Sequence, residues 1–191
     1  MRFTLSSEYV CNTILTNEEG QVVYKTKTSA KLSSLVPWTT IISKITPNID
    51  ENDMRDKFAI MAAIEWHSLS SSIFRFGGEE HRAKDFLPNS GILRLARTFT
   101  GPDGRSYKWK MENTAAVLYL DDGSKPKTEV AKYHKRGFGI IGKKHDPYLD
   151  VFSEGKGILD TLILTFIYVE KLQMDGEYRL DTVSIGSSGS L

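Results

Sequence analysis

The chain has almost no cysteine, no excess charge of either sign, and no hydrophobic run long enough to cross a membrane. Of its 191 residues only Cys11 carries a thiol. One thiol cannot staple a fold, which points to a reducing compartment. No histidine stands near Cys11 in sequence, so its expected role is a small hydrophobe on a strand, not a nucleophile. The formal net charge is +1 at pH 7, so whole-chain electrostatics selects no partner and only a local cluster could. The longest apolar stretch, Ile158 to Val169, contains Asp160, Thr161 and Thr165. It falls short of the span of about 20 apolar residues that a membrane helix needs. Met1 to Leu15 has no apolar h-region, being broken by Ser6, Ser7, Glu8 and Asn12, so no secretory signal is expected. These absences predict a cytoplasmic chain. Its length fits one domain with a sizeable core.

The first two thirds read as strands joined by turns. Thr13 to Thr16 and Gln21 to Thr26 flank Asn17-Glu18-Glu19-Gly20, where Gly20 can supply a positive φ. Thr39 to Ile45 is rich in β-branched residues and stops at Pro47, after which Asn48 to Asp56 reads as a loop. Phe58 to Trp66 fits strand or helix, and Ser70 to Phe76 reads as a strand ending at Gly77-Gly78. The clearest hairpin joins Ala96–Thr100 to Arg105–Met111 through Gly101-Pro102-Asp103-Gly104. It places Tyr107, Trp109 and Met111 on one face, and Lys108 and Lys110 on the other. Ala115 to Leu120, Thr128 to His134 and Tyr148 to Phe152 complete the strand set. Strands this frequent suggest a barrel or sandwich.

Gly157 to Met174 breaks the pattern. It has no internal proline or glycine and is apolar on nearly every face. Its length exceeds that of an ordinary strand, which favours a helix, and a helix apolar all round is buried all round. The polar residues from 176 to 191 read as a flexible tail.

Several motifs are incomplete. Gly137, Gly139 and Gly142 have dinucleotide-loop spacing, and Gly137 to Lys143 has that of a phosphate loop. Both need a helix to follow, and the second needs Ser or Thr where Lys144 stands. Arg136-Gly137-Phe138-Gly139 and Leu118-Tyr119-Leu120 partly match an RNA-recognition motif, with Phe138 and Tyr119 as stacking rings. The segments lie too close together for that fold. His67, His81, His134 and His145 lack metal-ligand spacing, and nothing places a nucleophile beside Glu79-Glu80-His81. No catalytic residue, metal site or cofactor is expected. What remains is charge: Lys125, Lys127, Lys132, Lys135, Arg136, Lys143 and Lys144 fall in one stretch whose only acid is Glu129. Such a stretch can face phosphates of lipid headgroups or nucleic acid, or be a solvated face balanced by acids from elsewhere.

Many strands followed by one apolar helix resembles the tubby C-terminal-like superfamily, which includes tubby proteins, phospholipid scramblases and LURP-one-related proteins. More closely, Tyr107-Lys108-Trp109-Lys110 after its Gly-Pro-Asp-Gly turn, Val130-Ala131-Lys132-Tyr133 and Ile158 to Leu172 resemble an uncharacterised fungal family, largely from mushrooms, placed in that superfamily. The resemblance implies a mainly β fold: a closed antiparallel β-barrel over residues 1–175, wrapped around a buried helix at about 157–174. It also implies a non-enzymatic binding or scaffolding role, with anionic membrane lipid as the candidate partner and a peripheral membrane location. No headgroup motif carries over residue by residue, so the seven cations are the only candidate contacts. The alternatives are single-stranded nucleic-acid binding, which is disfavoured, and a small-ligand carrier or enzyme.

Overall fold

The computed structural model describes residues 1–29, 36–47, 56–90, 96–111, 115–137 and 144–176. Strands β1 (Arg2–Leu5), β2 (Ile14–Thr16), β3 (Val22–Thr28), β4 (Trp38–Thr46) and β5 (Lys57–Trp66) come first. Strands β6 (Ile73–Phe76) and β7 (Glu79–Arg82) lead into one helical turn, α1 (Ala83–Phe86). Then follow β8 (Asn89–Ser90), β9 (Ala96–Thr100), β10 (Ser106–Met111), β11 (Ala116–Leu120), β12 (Glu129–His134) and β13 (Tyr148–Val151). A 3₁₀ helix (Ser153–Ile158) runs into α2 (Leu159–Asp175), which Gly176 ends at φ +77°. That left-handed geometry favours glycine.

All thirteen strands form one antiparallel sheet in the order β7-β6-β5-β4-β3-β2-β1-β13-β12-β11-β10-β9-β8. Sequence neighbours pair throughout except β7 and β8, and β1 pairs with β13. The β9–β10 hairpin shows how the sequence dictates this. Gly104 adopts φ +77°, its N–H donates to Gly101 O at 2.9 Å, and Tyr107 Oη donates to Asp103 Oδ2 at 2.7 Å. Alternation then buries Tyr107, Trp109 and Met111 and turns Lys108 and Lys110 outward.

Strands from both halves of the sheet pack on α2. From one half, Tyr24 Oη donates to Asp160 at 2.6 Å, and the Trp66 ring stacks on Tyr168 at 5.3 Å. From the other, Trp109 Nε1 donates to Thr165 Oγ1 at 3.0 Å, and the Tyr133 ring meets Phe166 at 5.0 Å. Every residue from Leu162 to Leu172 is buried. The expected enclosed helix is present, one residue longer at its end than expected and with a 3₁₀ turn at its start. Gly155 in that turn admits no side chain: a Cβ there would lie 2.9 Å from Val130 O and 3.0 Å from Leu162 Cδ1.

The ladder itself does not close, because β7 and β8 share no hydrogen bonds among the described residues. Side chains span the seam instead. Phe86 of α1 meets Phe74, Phe76 and His81 at 5.7, 5.2 and 5.5 Å, and Phe99 of β9 at 6.3 Å. Phe86→Ala should therefore destabilise the domain by about 2 kcal/mol, less than for a fully buried Phe, and lower Tm by about 6 °C. Hydrogen exchange should rise first in β7 and β9; an unchanged Tm would show that this ring adds little to the packing between β7 and β9.

Other expectations need adjustment. Phe58 to Trp66 is strand, as half of its ambiguous pattern allowed. Ser70 to Ser72 lies outside β6. Cys11 is buried as expected, but in the turn between β1 and β2 rather than on a strand. Residues 48–55 and the tail from 177 onward lie outside the described residues.

Candidate functional site

Lys108 and Lys110 of β10, Lys132 of β12, and Lys125 and Lys127 in the β11–β12 connection bring positive charge to this part of the sheet. In the β10–β11 register Lys108 sits opposite Tyr119 and Lys110 opposite Val117, and Val117 in turn faces Lys132 of β12. Tyr119 is the centre of a small constellation. Lys110 Nζ lies 5.3 Å from its ring centroid and Lys127 Nζ 5.9 Å. Both are within cation–π range. Lys110 holds the Lys127 ammonium below its usual range, through direct contact and like charge. Lys125 stands two residues before Lys127 and is joined to Pro126 by a cis peptide bond.

The described cations of the basic stretch differ in their partners. Among the described residues, Lys125, Lys127, Lys132 and Lys144 make no ion pair with a carboxylate. Lys135 and Arg136 sit elsewhere, beside the last turns of α2. Lys135 Nζ is 3.9 Å from Glu170 Oε1, and Arg136 pairs with Asp146 at 3.6 Å. The Arg136 backbone N–H donates to Glu8 Oε1 at 3.0 Å. For these two the solvated, acid-balanced alternative holds. Lys143 and Phe138 lie outside the described residues.

The glycine-loop motifs have no structural support. Gly137 and His145 exchange backbone hydrogen bonds at 3.0 and 3.1 Å, and the next element is strand β13, not a helix. Gly139, Gly142 and Lys143 lie outside the described residues, and no helix start follows the stretch among the residues that are described. His67 lies against Glu65 and His81 against Glu79, while His134 and His145 both pack on the Tyr148 ring and His134 also lies 3.4 Å from Asp150. No group of three metal-ligating side chains occurs among the described residues. Burial pushes the Cys11 thiol up to about 11, so it is protonated and unreactive at neutral pH.

With this geometry in hand, comparison with known proteins gives one match, a family profile covering residues 8–175. The chain belongs to DUF6593, a family of unknown function. No curated protein and no solved structure matches. Membership thus spans nearly the whole described fold, from the turn after β1 to the end of α2, and attaches no activity to it. Among the described residues of this family member, no helix is long and apolar enough to cross a membrane.

Sequence reasoning missed three features. Lys110 was legible as outward-facing but not as a partner of Lys127, which only the β10–β11–β12 pairing brings near. Glu170 and Lys171 are buried yet ionisable; both are plain in the sequence, hidden by the apolar residues around them. An open cleft beside the last turn of α2, lined by Trp38, Trp66 and Lys171 among others, collects residues distant in sequence and left no local signal.

Proposed function

We propose that this domain is a non-enzymatic binding module for phosphate-bearing anions, specifically phospholipid headgroups at a membrane surface, acting through Lys110 and Lys127 at the Tyr119 ring and through Lys125, two residues before Lys127. The observation that carries the reading is the convergence of Lys110 and Lys127 on one ring, with no ion pair to either among the described residues. Two ammoniums held close, offset only by the longer-range attraction of Asp121 on Lys127, cost electrostatic energy in the free protein, and a bound phosphate relieves that cost. In this reading the sheet acts as a barrel closed by side chains across the β7–β8 seam, as the tubby-like resemblance implies, and the protein works in the cytoplasm as a peripheral membrane component.

Vesicles of phosphatidylcholine with and without phosphatidylserine or a phosphoinositide provide the test. Wild-type protein should cosediment with the anionic vesicles at low salt and be released by added salt. The double change Lys110→Glu, Lys127→Glu should weaken binding at least about tenfold with Tm unchanged, because exposed charges contribute little to folding. Lys135→Glu with Arg136→Glu should weaken it less, since those cations already face carboxylates. Absence of binding to anionic vesicles at low ionic strength would overturn the reading. A tyrosine flanked by lysines is also a base-stacking platform. Oligonucleotide binding that Tyr119→Ala removes, with no vesicle binding, would reassign the face to nucleic acid.

A further inference from the structure

A buried polar cluster lies between the last turns of α2 and the end of β12, away from the Lys110–Lys127 face. Glu170 is 2 % exposed and Tyr133 is fully buried. The Tyr133 ring packs at 5.0 Å on Phe166, one helical turn before Glu170. Three atoms of the cluster are buried with no hydrogen-bond partner: Glu170 Oε2, Arg136 Nε and Tyr133 Oη. The first accepts, the second donates and the third does either. Orphans of this kind are uncommon, because each costs free energy. The ion pairs beside them are long. Lys135 Nζ stands 3.9 Å from Glu170 Oε1, and Arg136 stands 3.6 Å from Asp146. Neither distance is that of a hydrogen bond. The Arg136 backbone N–H, by contrast, donates to Glu8 Oε1 at 3.0 Å.

Among the described residues, Lys135 and Glu8 are the charged groups acting on Glu170, and Glu170, Glu8 and Arg136 act on Tyr133. Lys171 and Asp175 of α2 pair with each other, and His134 turns to Asp150 and Tyr148. A partly satisfied network in a low-dielectric site can resolve in two ways. With Glu170 neutral, its carboxyl needs little from its surroundings, and Arg136 stays with Asp146. With Glu170 ionised, the buried carboxylate requires donors, and those at hand are Arg136 Nε, Lys135 Nζ and Tyr133 Oη. We propose that Glu170 is a proton-operated latch: on losing its proton it draws Lys135 and Arg136 inward, away from Asp146, and pins the end of β12 to α2; on regaining it, it releases both. Arg136 adjoins Gly137, whose backbone exchanges hydrogen bonds with His145 at 3.0 and 3.1 Å, so the latch acts on that bridge. Burial pushes the Glu170 carboxyl up to about 7, which sets the change near neutral pH. The device needs only a proton and stands apart from the lipid reading.

Carbon-13 NMR of the Glu170 carboxyl follows its titration. Amide exchange at Gly137 and His145, corrected for its intrinsic pH dependence, follows the bridge. In the full chain, protection of both amides should rise about tenfold between about pH 5.5 and about pH 8.5, the worth of a hydrogen bond to a charged group. The rise should share its midpoint with the carboxyl titration. Glu170→Gln, which has no proton to lose, should hold protection at the low-pH level throughout. Arg136→Met should raise the carboxyl midpoint by at least about half a unit, because it removes a donor to the charged form. An arginine with a merely structural role would leave that midpoint in place. His134 and His145 are common to wild type and Glu170→Gln. A rise in protection that persists in Glu170→Gln would therefore belong to other groups and overturn the latch. It is equally overturned if wild-type protection is the same at both pH values, or if Arg136→Met leaves the midpoint unmoved.

Discussion

Leu162→Asp should abolish soluble, cooperatively folded protein. Leu162 is fully buried and packs against Gly155 in the turn that launches α2. The same helix shows what a carboxylate requires here. Asp160, two residues earlier and half-exposed, accepts from Tyr24 Oη at 2.6 Å and pairs with Lys44 Nζ at 2.8 Å. A carboxylate at 162 would replace a closely packed leucine, losing about 2 kcal/mol of apolar burial. It would add several kcal/mol for an unpaired or protonated acid in the interior. Together these approach the whole stability of an ordinary domain, about 5–15 kcal/mol. Leu162→Ala supplies the graded control. It should fold, with stability lower by about 3 kcal/mol and Tm lower by about 10 °C. A soluble Leu162→Asp variant with a cooperative melt would show that α2 is not enclosed.

The fold was legible where local chemistry decides structure. Gly-Pro-Asp-Gly fixed the β9–β10 turn, and strict alternation fixed which side of β10 faces inward. The all-apolar run fixed α2, since only enclosure by strands leaves a helix no polar face. The elements that escaped are those with no local signature. Strand β1 spans four residues and is held by β13, with Arg2 opposite Asp150; a pairing across so much chain leaves no mark in a short window. Strand β7 is Glu79-Glu80-His81-Arg82, an edge strand with no apolar residue at all. Edges tolerate such sequences because charge there discourages further pairing.

The site was legible in kind rather than in membership. Clustering along the chain marks a run of cations, but clustering in space depends on which strand faces which. Lys127 meets Lys110 of β10, which lies outside the basic stretch. Lys135 and Arg136, in the middle of that stretch, meet Glu170, Glu8 and Asp146 instead. A list of cations in sequence order cannot separate these cases, because the carboxylates that neutralise two of them arrive from α2, from the β1–β2 connection and from the approach to β13.

Glu170 carries the second large effect. Its side chain is 2 % exposed, and Oε2 has no hydrogen-bond partner. Nearby Tyr133 Oη and Arg136 Nε are likewise buried without partners. Burial is the main reason its carboxyl is pushed up to about 7, with Lys135 pulling down and Glu8 pushing further up. The unfolded chain should titrate at the ordinary 4.5. The folded state therefore binds this proton more tightly than the unfolded state does. Its contribution to stability is complete below about pH 4.5 and is lost as pH rises through about 7. Above that, ionised Glu170 costs the fold on the order of 3 kcal/mol relative to the neutral acid. Glutamine has the same shape and no charge to desolvate. Glu170→Gln should match wild type near pH 5 and exceed it by about 2–3 kcal/mol above pH 8. Urea unfolding of both proteins across that range isolates the effect, because every other titrating group is common to the two curves. The carboxylates and histidines shared by both cancel in the difference, and Lys135, more than a third exposed, can be solvated when its partner loses the charge. Parallel stability curves from pH 5 to 8.5 would mean that Glu170 is ionised throughout and its burial is compensated. A gap opening through pH 7 would place a titrating carboxyl in the core beside Lys135 and Arg136.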